Sequence, residues 1–87
     1  MAAPKDLTLK LGEEGKLRGT FAGGWWIVYA GMPNRDTYSV AIRWASGHTS
    51  AAYNLFLATG QTEFTAAKGS IRVYSVSPGE IRFRYTR

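Results

Sequence analysis

The stretch AGGWWIVYAG, residues 22–31, decides the fold of this chain. It holds two of the three tryptophans and the longest unbroken run of bulky apolar residues, with glycines on both sides. Trp, Ile, Val and Tyr fit the crowded surface of a pleated sheet, and the flanking glycines are turn signals. Both faces of the run are apolar, so we predict a central β-strand of the kind that is usually covered on both sides. A domain this small has little material to cover both, so one face is expected to meet a ligand, a partner or a second copy of the chain. Successive side chains alternate along a strand, so Trp25 and Trp26 must point to opposite faces.

Clusters of turn residues recur at short intervals through the rest of the chain, at 12–15, 22–24, 31–35, 46–48, 59–61, 68–69 and 77–79. The segments between them are of strand length, and short strands at this spacing are typical of an all-β sandwich or barrel. We therefore predict one all-β domain over residues 1–87, with residues 1–4 as a flexible N-terminus. About eight short antiparallel strands would form a small barrel or a two-sheet sandwich.

Three segments carry more specific expectations. Residues 31–35 contain Pro33 and predict a loop, because proline cannot donate to a strand ladder. Residues 49–59 fit either a strand or a helix capped at its start, and we favour the strand because turn signals flank the segment on both sides. The alternation in residues 6–11 predicts that Leu7, Leu9 and Leu11 all point into the core.

Composition limits the function classes. The chain has 87 residues, a formal net charge of +5 and a sequence pI near 9.9. A basic balance favours an anionic partner such as nucleic acid or another polyanion. Cysteine is absent, which excludes disulfides and thiolate metal sites. We expect no cofactor and no membrane span. The lack of cysteine and of a signal peptide favours a cytoplasmic location.

The basic residues are predicted to lie mainly on outward positions of strands, whereas Glu13, Glu14, Asp36 and Glu80 lie in turns or at strand starts. If the strands run up and down and close, the last strand lies beside the first, and most of these cations form one continuous patch. Such a patch would grip phosphate oxygens. The predicted polyanion-binding residues are Lys10, Lys16, Arg18, Arg43, Arg72, Arg82 and Arg84. The alternative is that they are solvated side chains that protect strand edges.

The aromatic residues suggest how unpaired bases would be held. Trp25, Trp26 and Tyr74 are the predicted stacking or interface residues, because bases stack on exposed aromatic rings. Two other functions remain open. The Trp25/Trp26 strand could form a homo-oligomer or a protein interface. Alternatively, a platform for sugar rings could be formed by Trp25, Trp26, Trp44, Tyr29 and Tyr38, with Asn34 and Asp36 holding hydroxyls. Against the sugar platform stands the more common fate of bulky alternating residues, which is burial in the core.

The sequence gives little support for catalysis, and we predict that the protein is not an enzyme. His48 is the only histidine and lies in a predicted turn. A nucleophile, a base and an orienting group would have to come from separate segments. One histidine without cysteine does not favour a transition-metal site, and we find no motif that identifies a family.

Overall fold

The computed structural model describes residues 4–20 and 23–87. The described residues form eight β-strands and no helix: β1 (Lys5–Lys10), β2 (Glu14–Thr20), β3 (Gly23–Asn34), β4 (Thr37–Ser46), β5 (Thr49–Ala58), β6 (Glu63–Ala66), β7 (Gly69–Ser77) and β8 (Glu80–Thr86). All pairings are antiparallel. Sheet 1 has the strand order β1-β8-β7-β6, and sheet 2 has the order β2-β3-β4-β5. The all-β prediction is confirmed, and of the two predicted architectures the protein adopts the sandwich.

The two sheets enclose one hydrophobic core between them. Sheet 2 contributes residues such as Ile27 and Ile42, and sheet 1 contributes residues such as Ile81 and Phe83, all fully buried. The predicted central strand is β3, which lies between β2 and β4. The segment left open between strand and helix is β5, so the strand interpretation of residues 49–59 is confirmed.

Two local predictions were wrong. The predicted loop at residues 31–35 instead extends β3 as far as Asn34. Irregular register on both sides of Gly31, whose φ of 98° favours glycine, lets the strand pass through this segment as a β-bulge. Leu11 is 59% exposed rather than buried, because β1 ends at Lys10 and Leu11 belongs to the following turn. The predicted flexible N-terminus spans residues 1–4, of which residues 1–3 lie outside the described residues. Alternation over residues 16–21 predicts an inward position for Phe21, which also lies outside them.

Three buried tyrosines connect strands to turns through their hydroxyl groups. Tyr29 donates to the carbonyl oxygen of Ser77, which links sheet 2 to the β7–β8 turn of sheet 1. Tyr38 donates to the carbonyl of Gln61 at 2.5 Å, and Tyr85 donates to that of Ala67 at 2.5 Å. Burial raises the pKa of the Tyr29 hydroxyl, and burial together with Tyr29 raises the pKa of Tyr38. These tyrosines belong to the core and to its turns, so they are not part of a sugar platform.

The antiparallel strands give the sandwich two different ends. One end, which we call the tryptophan end, contains the end of β2, the start of β3, the β4–β5 turn and the β6–β7 turn. The opposite end contains the β1–β2, β3–β4, β5–β6 and β7–β8 turns. The turns predicted to be acidic all meet at this opposite end, with Glu13, Glu14, Asp36 and Glu80. The described turns of the tryptophan end contain no acidic residue.

Candidate functional site

Four charged side chains form a row across the outer face of sheet 1, one from each strand. Cross-strand pairing places Arg84 between Asp6 and Arg72, and it places Arg72 opposite Glu63. The Arg84 guanidinium donates to both carboxylate oxygens of Asp6, at 2.8 and 3.1 Å. Arg72 donates from Nε to Glu63 Oε1 at 2.9 Å. Two of the predicted polyanion-binding arginines are therefore already paired with carboxylates.

The pairing of Asp6 with Arg84 shifts the pKa of both groups. The hydrogen bond from Arg84 lowers the pKa of the Asp6 carboxyl below its ordinary 3.8, and the charges of Arg84 and Arg82 lower it further. The same hydrogen bond raises the pKa of Arg84. Both groups are solvent-exposed, so the pair adds little to stability. It does hold the guanidinium on a carboxylate, which an incoming phosphate would have to displace.

The remaining predicted residues of sheet 1 lie on this same outer face. Tyr74 sits at a β-bulge in β7 and is 52% exposed, as expected, with the Arg84 guanidinium carbon 6.0 Å from its ring centroid. The ring and three members of the charged row, Glu63, Arg72 and Arg84, line an open hollow of about 330 Å³. Lys10 lies opposite Glu80, and Arg82 lies opposite Thr8. Acidic residues thus accompany the cations over most of this face.

Trp26 lies on the outer face of sheet 2, where two cations flank it. The Arg43 guanidinium carbon is 4.2 Å from the indole ring centroid, and the Lys16 ammonium is 5.5 Å from it. Arg43 also pairs with Glu14 at 3.3 Å. Through these cation–π contacts the Trp26 ring already interacts with two side chains of the protein itself. Trp26 is therefore less available for stacking on a base than its sequence position suggests.

A β-bulge in β2 changes the orientation predicted for Arg18. The pairing register shifts between Lys16 and Arg18, so that Lys16 lies opposite Trp26 but Arg18 lies opposite Trp25. Directly opposite residues share a face of the sheet, and Trp25 packs against the core. The expected outward position of Arg18 is therefore wrong. Its side chain is half-buried on the inner face, and its Nε is buried with no hydrogen-bond partner among the described residues.

The predicted cations consequently do not form one continuous patch. Pairing of β1 with β8 is as expected, but within the described chain β1 and β2 belong to different sheets. Lys10, Arg72, Arg82 and Arg84 lie on the outer face of sheet 1, and Lys16 and Arg43 lie on the outer face of sheet 2, with Arg18 turned inward. A continuous patch of cations would require β1 and β2 to pair in one closed sheet. In the sandwich these two strands belong to different sheets and do not pair.

A cleft lined by aromatic rings lies at the tryptophan end, on the inner face of sheet 2. Trp25 and Trp44 are cross-strand neighbours whose ring centroids are 6.1 Å apart with an interplanar angle of 36°. Both rings are half-buried, and Tyr53 beside them is 43% exposed. Two adjoining open hollows of about 480 and 540 Å³ meet at Trp25. We call this site the tryptophan cleft.

The second wall of the tryptophan cleft is the β6–β7 turn, in which Lys68 lines both hollows. Ala67 and Lys68 have φ angles of 55° and 61°, in the left-handed region that non-glycine residues seldom adopt. A hydrogen bond fixes the turn to β8, because the carbonyl oxygen of Ala67 accepts from the Tyr85 hydroxyl. The next residue, Gly69, has no room for a side chain, because an added Cβ would lie 2.4 Å from the Thr86 carbonyl oxygen. Close packing therefore holds a strained turn in place, and strain of this kind is common at ligand sites.

The charges around the tryptophan cleft have one sign. Arg18 shares the face of Trp25 on the neighbouring strand, and Lys68 stands on the opposite wall. Of the six acidic residues in the chain, four lie in or beside the turns of the opposite end. The other two, Asp6 and Glu63, are paired with arginines on the outer face of sheet 1. The residues lining the cleft include no carboxylate, so an anion meets attraction there without competition.

Trp25 and Arg18 were predicted as site residues from the sequence. The sequence did not predict that Trp44, Tyr53 and Lys68 lie together with Trp25 in one cleft. In the sequence Trp44 alternates with Tyr38 and Ile42, and this alternation indicates the face on which Trp44 lies but not that the face extends beyond the core. The missing signal was strand length. Strands β3 to β5 have ten to twelve residues, whereas β6 has four, so sheet 1 leaves part of sheet 2 uncovered.

No protein-family model matches the chain, and neither a curated protein nor a solved structure was found to be similar to it. Among the described residues there is no helix that is long and apolar enough to cross a membrane.

Proposed function

We propose that the protein is a non-enzymatic module that binds single-stranded nucleic acid, a polyanion, at the tryptophan cleft. The observation that carries the proposal is the half-buried Trp25–Trp44 pair at the end of the sandwich whose described turns lack acidic residues. Bases stack on such rings regardless of sequence. Lys68, which lines both hollows, and Arg18, which lies opposite Trp25 on β2, would supply the positive charge that phosphates require.

The geometry favours a single strand over a duplex. The half-buried rings lie in a cleft between the inner face of sheet 2 and the β6–β7 turn, where an unpaired base would reach their faces more readily than a base held inside a duplex. A duplex offers phosphates but keeps its bases stacked inside. The chain's net charge of +5 would strengthen binding to any polyanion at long range, whereas the rings would add selectivity for unpaired bases.

The other two functions receive less support at this site. The residues proposed for a sugar platform are separated, since Trp26 lies on the opposite face of sheet 2 and Asn34 lies at the opposite end of β3. The cleft itself is lined by no carboxamide or carboxylate that could hold sugar hydroxyls. A protein interface along β3 would have to displace the cations that flank Trp26.

The test is fluorescence anisotropy of a labelled 12-nucleotide single strand and of a duplex of the same sequence, at low and moderate salt. We expect the single strand to bind more tightly than the duplex, and we expect both to weaken with salt. Trp44→Leu keeps an apolar side chain but removes the stacking surface, and should weaken single-strand binding by about fivefold or more.

Trp26→Leu is the matched control, because it makes the same substitution on the other face of sheet 2 and should bind like the wild type. Equal affinity for single strand and duplex, unchanged by Trp44→Leu, would reduce the proposal to unspecific attraction between charges. No binding at low salt would refute it.

A further inference from the structure

The free edge of β5 is unlike the other three sheet edges. Within the described chain β5 pairs only with β4, and nine of its ten residues are exposed or half-buried. At about 3.4 Å per residue its outer edge presents roughly 34 Å of strand with unpaired backbone groups. Such an edge is a template for another strand, and native proteins usually protect it.

Each of the other edges carries a protective feature. β1 contains Lys5, Asp6 and Lys10. β2 contains charged residues and a β-bulge. β6 is only four residues long and begins with Glu63. β5 has the sequence TSAAYNLFLA, with no charged residue, no proline and an uninterrupted register against β4. A chain that protects three of its edges and leaves the longest one open indicates that this edge has a partner.

We propose that the partner is β5 of a second copy of this chain, paired antiparallel about a two-fold axis to give one continuous eight-stranded sheet. The net charge of +5 on each chain opposes self-association in general, but β5 brings no charged residue to the contact and so allows a second copy to approach along this edge. A two-fold contact also requires self-complementarity, which an uncharged strand of small and large apolar residues provides.

If the two β5 strands pair in a register centred on Asn54, the exposed large side chains of β5 each gain an apolar neighbour across the axis. This register places Phe56, which is 67% exposed, opposite Ala52 of the partner subunit on the outer face. On the inner face it places Tyr53, which is 43% exposed, opposite Leu55 of the partner subunit. At both of these positions a large side chain thus meets a smaller apolar one, and such cross-strand pairs stabilise a sheet. The contact does not depend on any ligand in the tryptophan cleft.

The first test is the mass of the protein in solution, measured by light scattering after size exclusion at about 100 µM. The proposal predicts twice the chain mass of 9.6 kDa. Asn54→Lys places two lysines directly opposite each other at the axis and should give a monomer. Thr8→Lys, on the exposed outer face of edge strand β1, is the matched control and should remain a dimer. Circular dichroism shows whether each variant is folded.

A second test does not depend on whether Asn54→Lys folds. The chain has no cysteine, so Asn54→Cys introduces a single thiol. We expect a short bismaleimide to join most of the Asn54→Cys chains into dimers, whereas Thr8→Cys should give few. A wild-type monomer, or equal cross-linking of the two cysteine variants, would overturn the proposal and leave the edge to a strand of a different protein.

Discussion

Replacing Lys68 by glycine separates stability from binding at the tryptophan cleft. Lys68 has a φ of 61°, a conformation that costs an L-residue roughly 1–2 kcal/mol. Glycine adopts it freely but loses more backbone entropy on folding, by roughly 0.5–1 kcal/mol. We therefore expect Lys68→Gly to raise the free energy of unfolding by about 0.5–1 kcal/mol, which in a domain of this size raises Tm by about 2–8 °C.

The same substitution removes the cation on the β6–β7 wall. If Lys68 contacts one phosphate of a single strand, the slope of log K against log salt concentration should fall in magnitude by about 0.7. Affinity should fall at low salt and converge with that of the wild type at high salt. The assays are thermal unfolding followed by circular dichroism and anisotropy titrations at four salt concentrations.

Arg72→Gln is the control for the change in net charge. It also removes one positive charge, but Arg72 lies on the outer face of sheet 1 and is paired with Glu63. It should leave the salt slope nearly unchanged. The reasoning is refuted if Lys68→Gly lowers Tm, since the strain would then not exist, or if the two variants lose affinity equally, since binding would then follow net charge alone.

Three further predictions concern the scaffold. Tyr38→Phe leaves a backbone carbonyl without its donor and should lower the free energy of unfolding by about 1–2 kcal/mol in urea denaturation; an unchanged midpoint would contradict the role given to this hydrogen bond. Because burial raises the pKa of Tyr29 and Tyr38 above 10.0, the unfolded chain releases protons that the folded protein keeps. The contribution of these two hydroxyls to the free energy of unfolding should be fully present below pH 10 and should be lost as the pH rises through the folded-state pKa values, less steeply in Tyr38→Phe. A free energy of unfolding that stays constant from pH 9 to 11 would disprove the raised pKa values. Gly69→Ala should cost about 1–3 kcal/mol because the new Cβ meets a carbonyl oxygen of β8. Gly79→Ala, where a Cβ meets open space, should be nearly neutral, and equal losses would argue against a steric cause.

The sequence was sufficient for the fold class because its signals were local. Alternation over residues such as Ile81, Phe83 and Tyr85 identifies buried strand faces without knowledge of the partner strand, and the structure buries all three. The opposite orientations of Trp25 and Trp26 followed from the same alternation. The prediction for Leu11 was wrong because alternation does not show where a strand ends.

The candidate site depended on information that alternation does not contain. The orientation of Arg18 depends on a bulge that shifts β2 by one residue against β3, and such a shift moves a side chain to the other face. The cleft depends on the difference in length between sheets, and its charge depends on which turns meet at each end. Pairing of Arg72 and Arg84 with acids depends on the order of all four strands of sheet 1.

The most direct test of the account uses the indole N–H signals of the three tryptophans in an NMR titration with an unlabelled single-stranded oligonucleotide. Single-tryptophan substitutions would assign the signals. The account predicts that the signals of Trp25 and Trp44 shift together along one binding curve, while that of Trp26 stays nearly constant. If Trp26 shifts and the other two do not, or if none of them moves while the oligonucleotide binds, the tryptophan cleft is not the binding site.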